Sequence, residues 1–120
     1  MKEILLVEDT AHLAEEIASV LQLEGYKVTV ANSGMQALSF LVDHKPDLII
    51  SDILMPGMDG FELITKIRQN KLFTLTPVII LSARASAEDK KRGEMVGANR
   101  FITKPCKISE LISAIQSMGI

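Results

Sequence analysis

Five side chains able to do chemistry stand at the ends of short apolar runs. Glu8 and Asp9 follow EILLV, Asp52 follows DLIIS, Ser82 follows PVIIL, and Lys104 follows a run ending at Thr103. Brought together, three carboxylates, a hydroxyl and an amine make a hard, oxygen-rich site. Three crowded acids repel one another, so they should have raised pKa values or attract a cation. An all-oxygen site with few protein ligands suits Mg²⁺, which keeps several waters and favours phosphate as a co-ligand. Beside that ion Asp52 could act as a nucleophile toward phosphorus. Lys104 and Ser82 would then meet the oxygens of the transferring group. The site reads as a phosphoryl acceptor. Each residue also has an ordinary use. Asp9 could cap a helix, Asp52 could begin the turn into MPGMDG, Ser82 could be a loop hydroxyl, and Lys104 could be a solvated lysine. Such uses would have to coincide at four corresponding strand ends, which disfavours them as a set.

The elements that must position these residues alternate along the chain. Glu3–Val7, Lys27–Ala31, Asp47–Ser51, Pro77–Leu81 and Asn99–Thr103 have strand length, and LLV, LII and VII lack the polar alternation of a half-exposed strand. Between them run helical stripes: Leu13, Ile17, Val20, Leu21 and Leu23/Glu24, stopped at Gly25; Ala37, Leu38, Leu41 and Val42, with Ser33 and Gln36 spaced as a capping box; and Phe61, Leu63, Ile64 and Ile67, starting at Asp59. Ser86 and Asp89 open a fourth helix that ends before Gly97, and Leu111, Ile112 and Ile115 carry a fifth. Five strands alternating with five helices predict an α/β fold, a doubly wound parallel sheet of order 2-1-3-4-5. In that order the strand direction of winding reverses between strands one and three, where the three acids meet.

Composition narrows the function. The 120 residues suit a single domain, 1–120, and 48% hydrophobic content supplies a core, which excludes disorder. Thirteen basic against fifteen acidic residues give a net charge of −2, without the basic surplus of a nucleic-acid module, so no direct nucleic-acid binding is expected. One cysteine excludes an internal disulfide and suits a reducing cytoplasm. No apolar run is long enough for membrane insertion, and MKEILLVED turns acidic too early for a secretory signal.

LLVEDT, DLIISDILMPGMDGFEL, VIILSA and GANRFITKP together resemble the receiver domain of bacterial two-component response regulators, in order and spacing over essentially the whole chain. The resemblance implies a flavodoxin-like fold and a signalling domain, not an enzyme, that assists its own Mg²⁺-dependent phosphorylation and dephosphorylation. It makes Asp52 the phosphoacceptor and gives Glu8, Asp9, Asp52 and the backbone carbonyl of Leu54 to the metal. Ser82 and Lys104 contact the phosphoryl group, Phe101 takes the aromatic switch position, and Lys104–Pro105 is a cis peptide. It also implies a switch: a phosphoryl group carrying about two negative charges at Asp52 draws Ser82 and the loop Ala83–Ser86 inward. Phe101 then turns in, remodelling the face of the fourth helix, fifth strand and fifth helix. The implied donor is a sensor histidine kinase or histidine phosphotransfer protein, the output domain or downstream protein is unspecified, and homodimerisation is left open. Leu54 and Arg84 stand where residues flanking the phosphoryl group influence its hydrolysis. Lys107 replaces a common capping Asp or Ser, so the last helix should start less firmly.

Other features carry less. Lys90–Lys91–Arg92 reads as a solvated helix face, His12 and His44 lack metal-ligand spacing, and Cys106 reads as a buried, inert thiol. Two functions compete with phosphotransfer. A phosphorylation-independent binding module would tend to lack one of the acids or the lysine, all of which are present. An Asp-nucleophile phosphohydrolase would want a second acid/base Asp beside Asp52 and a cap domain, which this chain lacks.

Overall fold

Strands β1 (Glu3–Val7), β3 (Leu48–Ser51) and β4 (Val78–Ser82) are almost wholly apolar, and they take the middle of the sheet because both of their faces must be covered. Strands β2 (Lys27–Ala31) and β5 (Arg100–Thr103) are less buried and lie at the edges. The computed structural model describes residues 1–120, with all five strands parallel in the order β2-β1-β3-β4-β5. The helices α1 (Ala11–Leu23), α2 (Gly34–Leu41), α3 (Gly60–Gln69), α4 (Ala87–Val96) and α5 (Ile108–Ser117) complete the expected α/β fold.

Alternate residues of each central strand feed two cores. Leu5, Val7, Ile49, Val78 and Ile80 join α2 and α3 residues such as Ala37, Leu41, Phe61 and Ile64 in a cluster of 15. Ile4, Leu6, Leu48, Ile50, Ile79 and Leu81 join Ala14, Ile17 and Leu21 of α1 and Leu111 and Ile115 of α5 in a cluster of 13. Register fixes what happens at the edge. Val7 pairs with Ser51, Ser51 with Ile80, and Ser82 with Thr103, so the carboxyl ends of four strands finish nearly level. The residues that follow are delivered to one place.

Several local expectations need correction. Leu23 and Val42 are 87% and 82% exposed, not core. Leu23 lies two positions past buried Leu21, about 200° around the helix, and α2 has already ended when the chain reaches Val42. Strands β3, β4 and β5 each begin one residue later than their runs suggest. Pro77, having no N–H, cannot donate into the ladder. Ser82 is the last residue of β4 rather than the first of the loop. A short 3₁₀ turn, Lys71–Phe73, follows α3.

The helix starts match the residues that precede them. Ser33 Oγ accepts from Gln36 N at 3.1 Å, although the Gln36 side chain accepts from Asn32 N rather than completing the box at Ser33. Asp59 caps α3 through Glu62 N at 2.8 Å. Ser86 and Asp89 form a full capping box on α4. Lys107 leaves α5 without a side-chain cap. Asp9 does not cap α1, whose N-cap is Thr10, and its carboxylate is left for the cleft.

Candidate functional site

The carboxyl ends of β1, β3, β4 and β5 form the walls of an acidic cleft. Glu8, one residue past β1, is 2% exposed and Asp52, one residue past β3, is 8% exposed, while Asp9 faces solvent. Ligand oxygens of these three acids lie within 4.8 Å of one another. Lys104 arrives from the end of β5, its backbone N–H donating to Ser82 O at 2.9 Å. Its Nζ donates to Glu8 Oε1 at 2.6 Å and to Asp52 Oδ2 at 2.8 Å. One ammonium therefore bridges two buried carboxylates from different strands.

The second oxygen of each carboxylate is also engaged. Asp52 Oδ1 accepts from Ile53 N at 2.6 Å and Leu54 N at 3.2 Å, while Glu8 Oε2 accepts from Thr10 N at 3.1 Å. Ser82 is fully buried, and its Oγ accepts from Arg84 N at 3.2 Å. The turn after Asp52 closes tightly. Gly60 N donates to Ile53 O at 2.9 Å, and a methyl group at Gly60 would collide with the Asp52 carbonyl oxygen and approach Ile53 Cα to 2.8 Å. Only glycine permits α3 to start this close to the cleft.

Burial and charge act on the acids in opposite ways. Burial pushes Glu8 above the ordinary carboxylate range, and its bonds to Lys104 and Thr10 only partly offset that. Burial also pushes Asp52 upward, but hydrogen bonding to Lys104 and Ser82, the charge of Lys104 and the Leu54 N–H together outweigh it and hold Asp52 below its usual value. Of the two outcomes expected of crowded acids, Glu8 shows the raised pKa, whereas Asp52 does not, because the Lys104 ammonium is already in the site. Burial would lower Lys104, but the two carboxylates reverse this and raise it.

The other residues singled out lie around this centre. Leu54 is 52% exposed beside Asp52, Phe101 is half-buried in β5, and the Lys104–Pro105 peptide bond is cis. A Cβ at Gly93 of α4 would come within 3.2 Å of the Phe101 ring and 2.8 Å of Ile80 Cδ1, so the bare backbone of α4 makes room for that ring. Arg84 is engaged elsewhere: its Nε donates to Asp89 Oδ1 at 3.0 Å. Asp89 is held below its ordinary pKa, since the Ser86 and Arg84 contacts exceed the upward push of burial. Arg92 is not merely solvated, because its guanidinium carbon lies 4.4 Å from the Phe61 ring centroid. The spacing of Ser86 and Asp89 revealed a helix cap, but nothing in it revealed the arginine.

A sequence profile described as "Response regulator receiver domain" matches residues 4–116. The chain belongs to the response regulator receiver family. The receiver is 38% identical over 117 residues to the phosphate regulon transcriptional regulatory protein PhoB of Pseudomonas aeruginosa, covering 98% of this chain and 51% of that one. It spans about half the length of the first curated relatives it matches. Among solved structures, chemotaxis response regulator CheY4 of Vibrio cholerae superimposes with a TM-score of 0.92 at 33% identity, with 98% of each chain covered. Response regulator protein TrrA of Thermotoga maritima, solved in complex with Mg²⁺-BeF, gives a TM-score of 0.88 at 30% identity, covering 98% of this chain and 99% of that one. As a receiver, the chain is a signalling domain of a two-component system. No helix in it is long and apolar enough to cross a membrane.

Proposed function

We propose that this receiver accepts a phosphoryl group on Asp52 from a phosphohistidine of a sensor kinase or phosphotransfer protein. The observation that carries the reading is the cleft itself: acids from β1 and β3, a hydroxyl from β4 and an amine following β5 meet at one sheet edge. A carboxylate oxygen of Asp52 attacks phosphorus, a P–O bond forms, the P–N bond breaks, and the imidazole nitrogen keeps the electron pair. Asp52 is suited to this because Lys104 holds it ionised, as a nucleophile must be. Lys104, already 2.8 Å from Asp52 Oδ2, can follow the incoming negative charge, and Ser82 Oγ stands ready as a donor.

The donor set fits a hard divalent cation, since it consists of carboxylate oxygens with one acid, Asp9, exposed. Glu8, Asp9 and Asp52, with the Leu54 carbonyl, would hold Mg²⁺, which would neutralise phosphoryl oxygens and lower the repulsion felt by the attacking carboxylate. A groove between α1 and α5, lined by Leu13, Ile17, Pro105, Cys106 and Ile108, opens beside Lys104 and offers a donor protein an apolar seat next to the acids. Transfer to Asp52 would draw Ser82 toward the new oxygens and bias Phe101 against α4, changing the α4-β5-α5 face.

Intact mass after incubation with acetyl phosphate tests this, with and without Mg²⁺, for wild type and Asp52→Asn. One phosphoryl adduct that needs Mg²⁺ and is missing from Asp52→Asn is the expected result. A folded wild type that gains no adduct would move the assignment to a phosphorylation-independent binding module.

A further inference from the structure

Helix α4 is held differently from its neighbours. Only Asp89 and Gly93 of its ten residues are buried, whereas α3 buries five of ten. Apolar burial therefore does little to fix it, and arginines do the work instead. At its last turn, Arg68 of α3 donates to Gly97 O from Nε and Nη2 at 3.1 and 2.9 Å. The same guanidinium reaches Phe73 O at 2.6 Å and Thr76 O at 2.7 Å. Midway, Arg92 lies on Phe61. At its first turn, Arg84 Nε is paired with Asp89 Oδ1 at 3.0 Å.

The two ends respond differently to charge. Arg68 binds neutral acceptors only, wedged between α3, the 3₁₀ turn and the end of α4, so nothing charged competes for it there. Arg84 is bound by a carboxylate and stands at the cleft. Its backbone N–H is on Ser82 Oγ, and its guanidinium carbon is 5.9 Å from the Phe61 ring, next in sequence to Gly60, which touches the Asp52 backbone. A phosphoryl group carries about twice the charge of one carboxylate and presents three oxygens to a planar guanidinium.

We propose that the Arg84–Asp89 ion pair is a latch that phosphorylation of Asp52 opens. Arg84 exchanges Asp89 for phosphoryl oxygens, the first turn of α4 is released, and its last turn stays fixed to Arg68. Asp89 Oδ2 keeps its bond from Ser86 N, so the helix is untethered without losing its cap. This rests on Asp52 being the phosphoacceptor and adds a positioning role for Asp89, which withholds Arg84 from the resting site.

The test compares wild type, Arg84→Gln, Asp89→Asn and the double variant. Phosphorylation by acetyl phosphate with Mg²⁺ is followed by intact mass, and amide exchange is read across α4. Asp89→Asn keeps an oxygen for Ser86 N, frees Arg84, and should lengthen the phosphoryl lifetime about three- to fivefold, the worth of one partly exposed ion pair. Arg84→Gln should shorten it, and the double variant should match Arg84→Gln. In wild type, phosphorylation should speed exchange at residues 87–90 and leave 93–96 unchanged. Single variants that shift the lifetime in the same direction, or exchange that rises equally along α4, would overturn the latch. Should Asp89→Asn melt too early, an Arg84→Gln lifetime equal to wild type overturns it alone. A wild type that takes no phosphoryl group overturns the functional reading and the latch together, which separates the two failures.

Discussion

Replacing Lys104 with methionine isolates the charge that organises the cleft. The substitution keeps the length of the side chain and removes the cation from between Glu8 and Asp52, whose side chains are 3% and 9% exposed. Breaking a buried pair from one side costs about 3–5 kcal/mol, and the 17% exposure of Lys104 at an open cleft brings this to about 2–3 kcal/mol. With an unfolding entropy near 2.1 cal/mol/K per residue, a chain of 120 residues should melt about 8–12 °C lower at neutral pH. The pH dependence carries the sharper prediction. In wild type, the lowered Asp52 contributes stability above its ordinary range and loses it as pH falls through its folded value, while the raised Glu8 does the reverse. The raised Lys104 stabilises below its ordinary value, and that contribution is lost only as pH climbs through its folded value. Without Lys104, the burial of Asp52 is opposed only by its hydrogen bonds to Ser82 and Leu54, and both acids titrate higher than in wild type. Lys104→Met should therefore gain stability on acidification, and its deficit should shrink between neutral pH and about pH 4.5. Circular dichroism melts in metal-free buffer measure both quantities. Equal melting temperatures at neutral pH, or a deficit that widens in acid, would refute the assignment of Lys104 as the counter-charge.

Thermal stability of wild type should rise with Mg²⁺, by about 2.7 kcal/mol at ~100 times Kd, and rise less in Asp9→Asn at equal Mg²⁺; calorimetry follows both. Gly60→Ala should cost about 3 kcal/mol, the upper end for overpacking, because the added methyl meets backbone at Asp52 and Ile53 that cannot turn aside; urea titration reads this loss. Arg68→Met should cost about 2 kcal/mol by stripping the carbonyls of Phe73, Thr76 and Gly97 of a shared donor, with no effect on phosphoryl uptake. Chemical denaturation and the acetyl phosphate assay check the two halves of that statement.

The central strands and the convergence of Glu8, Asp9, Asp52, Ser82 and Lys104 were legible in the sequence because both follow from local rules. A run such as LIIS admits few environments, and a polar residue just after a buried parallel strand can only emerge at one sheet edge. What escaped depends on distant geometry. Arg84 stands two residues past Ser82 and reads as a flank of the cleft, but its side chain chooses between anions, and only the fold puts Asp89 within reach. Arg68 gave no signal, since its partners are backbone carbonyls and the Asn99 side-chain oxygen, up to 31 residues away. The lowered pKa of Asp52 was missed for a related reason: the repulsion among acids is visible in their proximity, whereas the position of one ammonium between them is a matter of ångströms. The exposed Leu23 and Val42 mark where a periodic stripe runs past the end of the surface it packs on.

The placement of Lys104 has a mechanical side. Strand β5 is an edge strand with a single backbone neighbour, β4, and an outermost strand of this kind is the first part of a sheet to fray. Its lysine reaches past β4 to acids at the ends of β3 and β1, acting as a transverse stitch along one border of the sheet. Opening β5 at that border therefore requires pulling an ammonium from two carboxylates as well as undoing one ladder. The stitch makes the fraying of an outer strand sensitive to the charge state of residues near the centre of the sheet.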